Sequence, residues 1–70
     1  MLNLYAVKVW RPAKPHYSET IEFRTYTARR AQDRAIETFP GCTARTLSVF
    51  VDGAWRNAEV WQEQAKTIEP

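Results

Sequence analysis

The amino-acid sequence predicts an α+β domain in two layers, ββαββ, with one helix packed on one face of a four-stranded antiparallel sheet. Three features carry that reading. Residues 3–11 are a β-rich run apolar on both sides and residues 20–26 alternate with the period of two of a half-buried strand, residues 28–39 repeat apolar positions with a helical period, and Val51-Asp52-Gly53-Ala54 spells a tight hairpin.

Asn3 to Arg11 places Tyr5, Val7 and Val9 on one side and Leu4, Ala6, Lys8 and Trp10 on the other. A strand apolar on both sides reads as an inner one. Pro12-Ala13-Lys14-Pro15-His16 then breaks the pattern, because each proline fixes φ and removes a ladder donor. From Thr20 to Tyr26, Ile21, Phe23 and Thr25 alternate with polar neighbours, as a strand with one buried face should. Thr27 is the natural N-cap of the helix that follows, with Ala28, Ala31, Ala35, Ile36 and Phe39 forming its apolar stripe. Opposite the stripe, Arg29 with Asp33 and Arg34 with Glu37 stand at spacings that let opposite charges meet. Pro40-Gly41 ends the helix.

In a type I′ turn the two central residues both take positive φ, which Asp-Gly tolerates. If Val51 faces Ala54, Phe50 pairs with Trp55, Val49 with Arg56, Ser48 with Asn57, Leu47 with Ala58, Thr46 with Glu59 and Ala44 with Trp61. The hairpin strands are expected to run from Cys42 to Val51 and from Ala54 to Gln62. The expected core is Val7, Val9, Ile21, Phe23, Ala31, Ala35, Ile36, Phe39, Leu47, Val49, Val51, Ala58 and Val60. Strict alternation also turns Arg45 and Arg56 inward, so either those two reach out at the sheet edge or the register is off by one. Residues 1–62 form the expected domain, and residues 63–70 a polar C-terminal tail.

At 70 residues the chain has room for a single small domain, and its 44% hydrophobic content suits a folded one. Ten Lys and Arg against eight Asp and Glu give a net charge of +2, which permits nucleic-acid contact but falls short of a dense basic footprint. With one Cys, no internal disulfide can form, and no apolar run is long enough for a membrane span or an export signal. A cytoplasmic, non-membrane setting is the expectation.

Catalytic chemistry finds little support in the residues. His16 lies in a Pro-flanked loop and Cys42 opens a strand, far from the nucleophile–base pairing that covalent catalysis needs. The scattered carboxylates match no metal-ligand spacing, and two glycines cannot build a phosphate-binding loop. No enzyme activity, cofactor or metal is expected. Binding is better supported, because a single helix covers only one face of the sheet. The other face gathers Phe50, Trp55 and Trp61, with Lys8 and Trp10 as neighbours, and aromatics among polar groups are typical of interfaces. Candidate contact residues are these five together with Arg45 and Arg56 and the helix arginines Arg29, Arg30 and Arg34. The competing structural roles are a small second core beneath the loop or tail, for the rings, and a solvated, ion-paired helix face, for the arginines.

Tyr5-Ala6-Val7-Lys8-Val9, Thr27-Ala28-Arg29-Arg30-Ala31-Gln32 and Val51-Asp52-Gly53-Ala54-Trp55, in this order over most of the chain, resemble the small one-domain inhibitors of phages and mobile elements. Anti-CRISPR proteins aimed at type I surveillance complexes and phage inhibitors of host RNA polymerase are similar in size and order of elements. The resemblance is one of architecture and implies a stoichiometric inhibitor that docks on a CRISPR effector or polymerase-like complex of the host and blocks the path of nucleic acid. Two other functions are open to the same residues. One is a single-stranded nucleic-acid-binding module that stacks Trp10, Trp55 or Trp61 on bases and sets Lys8, Arg45 and Arg56 on phosphates. The other is a structural homo-oligomer subunit joined through its aromatic face, so that monomer and homodimer are both expected states.

Overall fold

The computed structural model describes residues 2–58. Five elements follow in chain order: β1 (Asn3–Trp10), β2 (Ser18–Thr25), α1 (Ala28–Thr38), β3 (Thr43–Val51) and β4 (Ala54–Asn57). The strands form one antiparallel sheet in the order β2-β1-β3-β4, with α1 on one face, so the ββαββ architecture is the one expected.

The central place of β1 follows from its composition. Tyr5, Val7 and Val9 are buried beneath the helix, while on the other side Ala6 is buried and Leu4, Lys8 and Trp10 are half-buried. β2 lies along one edge of this strand in an unbroken register from Asn3↔Thr25 to Trp10↔Ser18. From there α1 carries the chain across β1 to β3 on its far side.

Thr27 caps the helix in extended geometry, its Oγ1 accepting from the Arg30 amide at 3.1 Å. Ala28, Ala31 and Ala35 are the buried helical residues. With only methyl groups between backbone and sheet, α1 lies close enough for the buried Thr46 Oγ1 to donate to the Ala28 carbonyl at 2.7 Å. Ile36 is exposed, which corrects its expected place in the core. The contact stripe descends through the alanines to Phe39, and Ile36 sits one step of about 100° off that line. Phe39 closes the helix by donating its amide to the Ala35 carbonyl, and Gly41 takes the positive φ of 85° that turns the chain into β3. Arg11 pins the same corner, 4.4 Å over the Phe39 ring and 3.2 Å from Glu19.

A β-bulge divides β3. Ala6 pairs with Ser48 and Val7 with Thr46, leaving Leu47 as the extra residue. The bulge resets the alternation, so Ala44, Thr46 and Val49 face the helix and are buried, while Leu47 is 38% exposed. This corrects two expectations at once: Leu47 is not core, and Arg45, paired with Lys8, stands on the face away from α1.

The hairpin has its expected turn and its first four pairs. Asp52 and Gly53 have φ of 52° and 77°, and Val51↔Ala54, Phe50↔Trp55, Val49↔Arg56 and Ser48↔Asn57 are in register. Pairing ends there. Ala58 leaves the ladder and is buried in the core cluster, in place of the expected pair with Leu47. The expected Thr46–Glu59 and Ala44–Trp61 pairs, the core residue Val60 and the polar tail involve positions outside the described residues. The core also takes in Tyr5, Ala28 and Ala44, with the Tyr5 hydroxyl donating to the Tyr26 carbonyl at 3.3 Å.

Candidate functional site

The face of the sheet away from α1 is assembled by register. Leu4 pairs with Phe50, Phe50 with Trp55, Lys8 with Arg45, and Trp10 with Thr43. Five of the predicted contact residues, Lys8, Trp10, Arg45, Phe50 and Trp55, therefore share this face, but not one patch.

At the hairpin end, Phe50 and Trp55 pack with ring centroids 5.2 Å apart and planes tilted by 53°. Tilted packing satisfies the ring quadrupoles, and it leaves the rings 40% and 45% exposed. Leu4, one strand inward, extends the apolar patch. At the other end of β1 the character changes. Lys8 stands directly across from Arg45, and its ammonium lies 5.2 Å from the centroid of Trp10. Two cations facing each other across a ladder repel; the indole offers Lys8 a compensating π-face. Trp10 is six positions along β1 from Leu4, roughly 20 Å in a strand, so Trp10 does not join Phe50 and Trp55. Between the two ends lie the small residues Ala6 and Ser48.

The remaining candidates fall elsewhere. Arg56, paired with Val49, has the parity of the helix side and is exposed on the edge strand β4. Arg29, Arg30 and Arg34 occupy the helical layer, away from the open sheet face. Neither Arg29–Asp33 nor Arg34–Glu37 closes into an ion pair; among the described residues that contact is made by Arg11 and Glu19. Instead, Arg30 lies 5.8 Å over Tyr26 and Arg34 5.8 Å over Phe23, with Arg34 Nη1 donating to the Arg24 carbonyl at 3.5 Å. These guanidinium groups lie over one ring of β2 and one just beyond its end. Trp61 lies outside the described residues.

Other chemistry is sparse in the described part of the chain. His16 is exposed in the loop between β1 and β2, and Cys42 is half-buried at the core margin, its Sγ 3.8 Å from the Ala35 carbonyl. Among the described residues, no three His, Cys, Asp or Glu side chains converge as metal ligands, and no helix is long and apolar enough to cross a membrane. Sequence reasoning missed Leu4 as a member of the apolar patch; its parity was legible, but its pairing with Phe50 needs the strand order. Compared with protein-family models, characterised proteins and solved structures, the chain shows no significant match.

Proposed function

We propose that this chain is a small non-catalytic binder that docks stoichiometrically on a protein partner through the hairpin end of its open sheet face. The carrying observation is the Phe50–Trp55 pair, two large aromatic residues packed on each other and 40% and 45% exposed on the face opposite α1. Clustered aromatics of this kind supply most of the binding energy at protein interfaces. Leu4 enlarges the apolar centre, and Glu22 and Arg24 of β2 give it a polar margin.

Single-stranded nucleic acid is a weaker fit to the same face. Base stacking needs free ring faces with cations nearby. Lys8 sits over the ring of Trp10, Phe50 and Trp55 pack on each other, and Arg56 lies off the face.

The partner class rests on the architectural resemblance to phage-type inhibitors: a nucleic-acid-handling complex of the host cytoplasm, foremost a type I CRISPR effector, whose access to DNA the bound chain blocks. Mixing the protein with purified type I effector complexes tests this, with a saturable complex and reduced DNA binding as the expected result. Failure to bind any such complex removes this partner class. Titration with single-stranded oligonucleotides supplies the counter-test. Quenching of Trp fluorescence at low salt that fades as salt rises supports the nucleic-acid reading instead.

A further inference from the structure

We infer that the outer edge of β2 is a self-association surface, on which a second copy of this chain adds its own β2 antiparallel, with Phe23 on the two-fold axis. β2 is the terminal strand of the sheet, and no described strand pairs with its outer side. It is eight residues long and regular, without the proline or bulge that blunts many natural edge strands. At the opposite end of the sheet β4 has only four residues. Among the described residues, the β2 backbone is met by one side-chain donor, Arg34 Nη1 to the Arg24 carbonyl, at the long distance of 3.5 Å. An incoming amide can replace so weak a contact.

Charges on the face away from α1 distinguish the registers. A two-fold axis perpendicular to the sheet keeps both helices on one side and pairs residues of equal parity. With the axis at Glu22, two carboxylates meet; with the axis at Ile21, Glu22 falls opposite Thr20 and Arg24 opposite Ser18, and no charges pair. With the axis at Phe23, Glu22 of each copy lies opposite Arg24 of the other, forming two complementary pairs. Ile21 then meets Thr25, the last residue of β2. Glu22 and Arg24 are exposed, and neither side chain forms an ion pair within the described residues. The dimer extends the sheet to twice its width and leaves both Phe50–Trp55 pairs on one side.

Sedimentation velocity on the full chain over a wide concentration range tests this, with circular dichroism to verify folding. The wild type is expected to pass from monomer to dimer as concentration rises. Glu22→Arg and Arg24→Glu each convert two attractive pairs into two repulsive ones and should weaken the dimer roughly tenfold or more. The double variant Glu22→Arg/Arg24→Glu restores complementarity and should restore the dimer. A wild type that stays monomeric throughout overturns the inference, as does a double variant no better than the singles. Association lost on Phe50→Ala/Trp55→Ala but not on charge reversal overturns it too, by moving the interface to the open face. The outcome is independent of the proposed docking partner, since no partner is present in the measurement.

Discussion

Thr46 joins the two layers through one hydrogen bond, and replacing it with valine isolates that bond. The side chain is 8% exposed, and its hydroxyl reaches the Ala28 carbonyl at 2.7 Å, in the first turn of the helix. Valine keeps the shape and suits a strand, so the loss is confined to the bond and the methyl group that then abuts a carbonyl oxygen. Buried bonds of this kind contribute about 1 kcal/mol net. In a domain this small that lowers the melting temperature by roughly 4–8 °C. Thr43, exposed at the start of the same strand, is the control, and Thr43→Val should change stability by less than about 0.5 kcal/mol. Thermal unfolding followed by circular dichroism reads both. A Thr46→Val protein as stable as the wild type, or a Thr43→Val protein equally destabilised, would refute the claim that this bond ties helix to sheet.

Gly53→Ala places a side chain at φ of 77°, with no atom within 4 Å to clash, so the cost is backbone strain alone, about 1 kcal/mol by urea denaturation. Gly53→Asn should recover part of that loss, because Asn tolerates this region better. Deleting Leu47 removes the bulge residue while leaving Thr46 and Ser48 on their present faces, so cooperative unfolding should persist. Deleting Arg45 instead drives Ala44 off the helix face, and the cooperative transition should be lost.

Local signals account for what was legible before the structure. Asp52-Gly53 imposes a turn whose register propagates outward, so the pairs from Val51↔Ala54 to Ser48↔Asn57 could be written down directly. Thr27 and Pro40-Gly41 bracket α1 because a cap and a stop are set by one or two residues. The bulge at Leu47 carries no glycine to announce it. Its one trace was the improbable inward parity of Arg45, which hinted at a register off by one but did so equally for Arg56, whose pairing with Val49 holds. Ile36 misled because its hydrophobicity suggested the core, whereas the small Ala28, Ala31 and Ala35 mark the side on which α1 can approach the sheet. The site was half legible for a different reason. Alternation puts Trp10, Phe50 and Trp55 on one face, but only the antiparallel pairing of β1 with β3 shows that Trp10 stands at the far end from the other two.

The proposed docking plane is the exposed ring pair of the open sheet face, and two multiple variants separate it from the helix arginines. Phe50→Ala/Trp55→Ala and Arg29→Glu/Arg30→Glu/Arg34→Glu would each be titrated into a type I effector complex by calorimetry, after their folding is verified. Removing the rings is predicted to weaken binding at least roughly thirtyfold, the scale of an interfacial hot spot, while reversing the arginines leaves the affinity within a few-fold. Unchanged binding by the ring variant, with loss in the arginine variant, would contradict the account and move the working surface to the helix.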